Sequence, residues 1–488
     1  MEQTDGGEPI LSDRVRVNGS VSPATLTAGV GLQWMEGGSR RCMVEEKDFL
    51  GFSAEGPTIK IRTVAEDRDG SCCFNSRGHP ATKTYVFEPL SEDSLRLWCR
   101  KLEEYFDSLG RPKRLLIFVN PYGGKKYAYK IFIDDVKPLL DDANIECTVQ
   151  ETKYQLHAKE VVQTMDISKY DGIVCVSGDG ILVEVVNGLL EREDWNAAIK
   201  MPLGVVPAGT GNGMAKSLMD SVGLPCIASN AVLAIIQGHK RPLDVASILQ
   251  GETRFFSVLM LAWGLVADID IESEKYRWMG SARMDFYAIQ RIFHLRKYSG
   301  WISFVPAPGF EACGEPSSPK DVLPSNINNP SQDEPMKVHQ RGYQGPQVDL
   351  ESLEWRKIDG PFVSVWLHNV PWGGEDTKAA PDAKFSDGYL DLILMKDCPR
   401  FALLSLMTKL SNGDHVKSPY VLYLKVKAFV LEPGPRTDDA TKEGIIDVDG
   451  EVIARGKGTY KSEQKTLMDY EKLQIVVDQG LAVIYAPL

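Results

Sequence analysis

A chain of 488 residues, 43% hydrophobic and 25% charged, is long enough for about three domains and lies away from both disordered and membrane-spanning compositions. Its formal net charge of -12 excludes wholesale binding to a nucleic-acid backbone, so any attraction to anionic lipid has to be local. Arg40 and Arg41, the run 111–114 and the run 291–297 are the basic patches available for it.

The segment 1–109 alternates short β-like runs, at 31–35, 58–62 and 84–87, with Gly, Pro and charged turns. It closes on an amphipathic helix that starts at Ser91 and places Leu95, Trp98, Leu102, Tyr105 and Phe106 on one face. Strands followed by a single Trp-bearing helix look like a pleckstrin-homology-type module, the alternative being a plain β-rich extension of the catalytic domain. From residue 110 the grammar changes. The apolar runs 115–119 and 172–176 and the strand 146–150 each precede a loop and a helix, near 130–140, 158–165 and 181–190. This alternation predicts a doubly wound α/β lobe over 110–245. Beyond 246 the sequence is strand-rich, with runs at 255–261, 301–305, 362–366, 390–395, 420–431, 444–448 and 473–477, and predicts an antiparallel β-sandwich. Residues 314–348, rich in Pro, Ser, Asn and Gln, read as a disordered insertion.

Three glycine loops follow successive strands of the α/β lobe, where an open sheet forms its ligand crevice. They are Asn120-Pro-Tyr122-Gly123-Gly124, Ser177-Gly178-Asp179-Gly180 and Pro207-Ala-Gly209-Thr210-Gly211-Asn212. Each exposes backbone amides where side chains would obstruct a phosphate, so a polyphosphate is the expected occupant. The glycine spacing fits neither a Rossmann fingerprint nor a Walker loop. Asp179, between two glycines, is the candidate general base; its alternative role is to cap the helix that follows. Glu184, on that helix, either joins the nucleotide site and helps to hold Mg²⁺ or is a surface glutamate.

With the stretch from Leu261-Ala-Trp-Gly to Glu274-Lys-Tyr-Arg277, the second and third loops resemble the sphingosine kinase family. The loops are shared with diacylglycerol and ceramide kinases, and the third stretch singles out the sphingosine kinases. The resemblance implies ATP and Mg²⁺ in a cleft between the α/β lobe and a lipid-holding β-lobe. It implies nucleotide contacts from Asn120, Thr152, Gly178, Gly180, Gly209, Thr210 and Gly211, from Arg277 and Arg283, and from Asp449-Gly450-Glu451. Tyr122 stands where the family commonly has arginine, and Lys126 where it has glycine. The implied reaction is phosphorylation of the primary hydroxyl of sphingosine, sphinganine or phytosphingosine to the 1-phosphate. Its rivals are a diacylglycerol or ceramide kinase, and a lipid-binding scaffold without turnover. Ser177, Asp270, Glu274 and His415 are the candidate lipid contacts, with Asp270 matched to the family's head-group aspartate. Asp268, Asp270 and Glu272 alternate with Ile269 and Ile271, a period-two pattern that predicts a strand with Asp268 and Glu272 on a solvated edge. The two arginines have an alternative role in pairing with Glu272, Glu274 or Asp285, and His415 one as a solvated loop histidine. The nine cysteines show no zinc-like spacing, the acidic start lacks the apolar core of a secretory signal, and the apolar run 255–267 is shorter than the ~20 residues that span a bilayer. A cytosolic protein in transient contact with an intracellular or plasma membrane, with homodimerisation an option, is the resulting expectation.

Overall fold

The computed structural model describes residues 8–36, 40–64, 82–123, 126–280, 282–323 and 342–488. Seven antiparallel strands between Pro9 and Pro89 form one sheet, which reads 4-3-2-1-7-6-5 when the strands are numbered along the chain. Alternate residues such as Val15, Val17, Leu32, Trp34, Ile59 and Ile61 point inward. The helix Glu92–Ser108 covers that core with Trp98, Leu102 and Tyr105. It begins where expected, the Ser91 hydroxyl accepting the Ser94 N–H at 3.1 Å. The segment is β-rich, as expected. Arg62 ties this unit to the next, donating to the Asp142 carbonyl at 2.7 Å, and Arg111 donates back to the Phe49 carbonyl at 2.7 Å.

In the α/β lobe the parallel strands Glu146–Glu151, Arg114–Val119, Gly172–Ser177 and Leu203–Pro207 lie side by side in that order. The two central strands are almost wholly buried, as continuous apolar runs require. The helix expected near 130–140 contains a π-turn, Phe132–Val136, before Lys137–Asp142. Pro138 has no N–H for the Asp134 carbonyl, so the ladder is interrupted there.

The sheet does not stop at the expected boundary of 245/246. The strand Lys240–Gln250 runs through it, paired antiparallel with Leu473–Tyr485, and Leu473–Tyr485 also meets Leu203–Pro207 in parallel at Ile484. One sheet therefore continues from the α/β lobe into an antiparallel sandwich, whose core holds Trp263, Tyr298, Phe304, Phe362 and Phe429.

Three expectations need correction. The run 255–261 is two strands, Thr253–Ser257 and Met260–Gly264, separated at Val258 and Leu259. The acidic stretch is a helix, Leu265–Glu272, entered through Gly264 at φ +87°. On a helix Asp268 and Glu272 share a face one turn apart, and that face is buried, not solvated. Asp268 accepts from Tyr298 at 2.7 Å and Glu272 from Arg296 at 2.9 Å and from Tyr287. Finally, the ends of the stretch 314–348 are ordered. Glu315–Ser317 pairs with Trp355–Asp359, Val322 is buried, and Tyr343 packs against Trp195 and Phe256 while donating to Asp478. Aromatic and aliphatic anchors inside a polar segment supplied burial that its average composition conceals. Residues 324–341, where the rest of that expectation falls, lie outside the described residues.

Candidate active site

The glycine loops meet at the carboxyl ends of their strands. Gly178 and Gly209 touch backbone to backbone, and a Cβ on Gly209 would collide with the Gly178 Cα and N. A Cβ on Gly211 would lie 3.0 Å from Asp179 Oδ2. Only glycines let the two loops close into one concave surface of N–H groups. The Asn120 carboxamide oxygen accepts from Tyr122 N and Gly123 N at 3.0 and 3.1 Å and fixes the first loop. Tyr122 itself is exposed, and Gly124 lies outside the described residues. Thr152 is buried at the end of its strand, donating its N–H to the Val119 carbonyl at 2.9 Å. Ser177 is buried and donates to the Gly178 carbonyl at 2.7 Å, so its hydroxyl shapes the loop. Thr210 is exposed at the rim.

Asp179 is the first residue of the helix Asp179–Leu190, with Gly178 at the N-cap, but its carboxylate does not cap that helix. It crosses to the third loop. Oδ2 accepts from Asn212 N at 2.9 Å and Gly213 N at 2.8 Å, and Oδ1 from Met214 N at 3.0 Å. Burial raises its pKa while these amides oppose the rise. Asp179 thus closes the first turn of Gly213–Asp220 and retains unused acceptor capacity on Oδ1. Asn212, at φ +84°, locks the same loop by accepting from Gly209 N at 3.0 Å and donating to Glu375 at 2.6 Å.

Glu184 is neither a ligand of this loop surface nor a surface glutamate. Its oxygens accept from Leu156 N at 2.8 Å and Ala158 N at 3.1 Å, capping the helix His157–Thr164 from outside. Leu156 is held at φ +70°, a conformation that costs a non-glycine residue free energy and persists because Glu184 and the helix start fix it. Beside it, Gln155 donates to Glu451 at 2.7 Å. Glu451 lies against Gly180, and burial together with Glu184, Glu274 and Asp270 raises its pKa to about 7. The turn 449–451 therefore does return to the glycine loops, through Glu451, with Gly450 at φ +83° in open space. Asp449 faces away. Its carboxylate accepts from Ser257 Oγ and from the N–H groups of Val258, Leu259 and Met260, filling the break between Thr253–Ser257 and Met260–Gly264, which removes it from the expected nucleotide contacts.

Beyond Glu451, Asp270 is raised in pKa by burial, and Asp447, Arg283 and Glu274 are the side chains acting on it. His415 is not among them. It is buried and acts on His368, so it is neither solvated nor brought to Asp270. Glu274 also pairs with Lys461 at 3.3 Å. Arg283 lies on the helix Ala282–Phe293 with a buried Nη1 that has no partner, and the side chain of Arg277 lies outside the described residues. Sequence reasoning missed Gln155, Glu375 and Asp447, which no motif marks; Asn212 stood in the third loop, where its tolerance of positive φ was the available signal.

Residues 114–248 match the diacylglycerol kinase catalytic domain, and residues 344–467 the YegS C-terminal NAD kinase beta sandwich-like domain. A phosphate-cradling α/β lobe joined to such a sandwich makes the chain an ATP-using kinase of the diacylglycerol kinase type. Sphingosine kinase 1 of Arabidopsis thaliana is 63% identical over 98% of this chain and 96% of its own length, and sphingosine kinase 2 of the same plant 60% identical over 98% and 97%. Human sphingosine kinase 1 is 35% identical over 71% of this chain and 87% of its own. The chain belongs to the sphingosine kinase family.

Proposed function

We propose that the chain transfers the γ-phosphoryl group of ATP to the primary hydroxyl of a sphingoid base. The observation that carries this reading is the meeting of two fused glycine loops around Asp179 with Glu451, which lies against Gly180 and interacts in turn with Asp270 and Glu274. The loops supply N–H donors to the phosphates, and Arg283, with an unpartnered Nη1, supplies charge to the group in flight. Asp179 accepts the hydroxyl proton on Oδ1 as the oxygen attacks. Burial makes it a stronger base than an exposed carboxylate, while the amide bonds hold it still. Asp270 takes the ammonium next to that hydroxyl, a charge that diacylglycerol and ceramide lack.

Among the described residues no cluster of three acidic, cysteine or histidine side chains is placed to cage a metal, and Glu184 and Asp449 are occupied by their own hydrogen bonds. Magnesium enters this reading as part of the substrate, Mg-ATP.

No described helix is long and apolar enough to cross a membrane. Peripheral docking on a bilayer is supported by an exposed apolar rim at the β-lobe. Phe286, Ile289 and Phe293 recur at i, i+3 and i+7 on one helix, with Trp278 at 81% exposure before it and Phe401 at 84% on the helix packed beside it. A lipid substrate could pass from the membrane into the cleft at such a rim. The test is a panel of sphingosine, sphinganine, phytosphingosine, diacylglycerol and ceramide presented with labelled ATP to the purified protein. Label entering the sphingoid bases and not the neutral lipids is the expected result, and label confined to diacylglycerol or ceramide would overturn the reading.

A further inference from the structure

The strand Ile445–Val448 carries one side chain that the fold does not explain. Ile446 and Val448 point into the sandwich core, so strand alternation sends Asp447 to the opposite face. There it shares a rung with Ala262 and, one strand further, Trp366, at the strand on which the helix Leu265–Glu272 packs. Asp447 has 0% exposure, and neither carboxyl oxygen meets a hydrogen-bond donor.

Other buried carboxylates of this chain are treated differently. Asp268 has Tyr298 and Arg296, Asp391 has Lys425 and Tyr423, Asp244 has two backbone amides, and Asp449 has three amides and a hydroxyl. Burying a carboxyl without a donor is strongly unfavourable, and an apolar residue would fit this rung better. The group beside Asp447 is the Asp270 carboxyl, with Asp449 and Glu451 acting on Asp447 and Arg283 and Glu274 on Asp270. Burial and these neighbouring carboxyl groups push the Asp447 pKa well above the ordinary carboxylate range, and Asp270 sits on the helix that packs on this strand.

We propose that Asp447 is a specificity-determining residue that forms, with Asp270, a two-carboxyl receptor for the primary ammonium of the lipid head group. The proposal rests on the reading of Asp270 given above. An ammonium brings three N–H donors and a full charge, which two carboxylates can take up together, whereas an amide brings one N–H and no charge and an ester neither. As the ammonium enters, the proton that burial favours on Asp447 leaves to solvent and both carboxyls are ionised around the cation. The ammonium supplies donors that no described side chain gives to Asp447, so discrimination against neutral lipids is built into the strand.

The test compares wild type, Asp447→Asn, Asp447→Leu and Asp270→Asn, each first checked by thermal melting. Asp447→Asn is expected to raise the KM for sphingosine about 10-fold, as loss of a charged hydrogen-bond partner implies, with the KM for ATP within about 2-fold. In wild type the KM for sphingosine falls as pH rises through the raised pKa of Asp447, because proton release accompanies binding, and Asp447→Asn loses that dependence. Asp447→Leu is expected to melt higher than wild type and to bind sphingosine as weakly as Asp447→Asn; if it does not fold, the near-isosteric asparagine variant carries the test. An unchanged sphingosine KM and pH profile in Asp447→Asn, with Asp270→Asn impaired, overturns the role of Asp447 alone. An unimpaired Asp270→Asn overturns the head-group reading itself.

Discussion

Asp179 holds the third loop and, in the proposed reaction, takes the hydroxyl proton, and the two roles separate in a mutant. An asparagine there keeps one acceptor oxygen but turns an NH₂ group toward amides that now donate to carboxylate oxygens. Asp179→Asn is expected to lose at least about 100-fold in turnover as a base and also to disorder the third loop, weakening ATP binding by on the order of 10-fold. Titration calorimetry with ATP checks the second effect, which a residue acting as base alone would not produce. Glu451 offers a pH test. Its folded pKa of about 7 stands above the ordinary 4.5, so the folded state binds the extra proton and the stability this brings is lost as pH rises from about 4.5 to about 7. Glu451→Gln is therefore expected to melt higher than wild type at pH 8 and to flatten the dependence of melting temperature on pH in the nucleotide-free protein.

At the scale of elements the helix Leu265–Glu272 is the informative case. Its buried face is held by Arg296, which pairs with Asp268 at 3.3 Å and with Glu272 at 2.9 Å. Arg296→Met would leave both carboxylates buried with too little compensation, a loss expected at about 3 kcal/mol because the arginine is partly exposed. Denaturant unfolding measures it directly. The same helix marks the limit of what the sequence reveals. Asp268, Ile269, Asp270, Ile271 and Glu272 alternate perfectly, and in an ordinary strand that pattern would mean one wet face. Arg296 and Tyr298, more than twenty residues away, made the helical face viable, and local periodicity carries no trace of them. The glycine loops were legible for the opposite reason. Their conformation depends on absent side chains, and glycine records that requirement at the position itself, as at Gly178 and Gly209. Capping at Ser91 was equally local. The inward turn of Asp449 was not, since its partners Val258, Leu259 and Met260 sit about 190 residues earlier.

At the scale of the whole molecule, the shared sheet makes the α/β lobe dependent on the sandwich. The strand Leu473–Tyr485 is an edge partner for Leu203–Pro207 and the main partner for Lys240–Gln250. A fragment of residues 110–245 is expected to unfold without a cooperative transition, since it lacks the strand that pairs at Leu203, Leu243 and Val245, all buried in the intact chain. Circular dichroism during heating checks this against the full chain, and a sharp transition in the fragment would contradict it.

The position of that strand also bears on how the protein comes into being. Leu203 leaves the ribosome about 280 residues before its partner Ile484, which at 5–20 residues per second is a wait of roughly 15 to 60 s. Throughout that interval Leu203–Pro207 presents the unpaired backbone of a nearly finished parallel sheet, the kind of edge on which a second chain can add. A stop codon before Leu473 produces a chain for which that wait never ends.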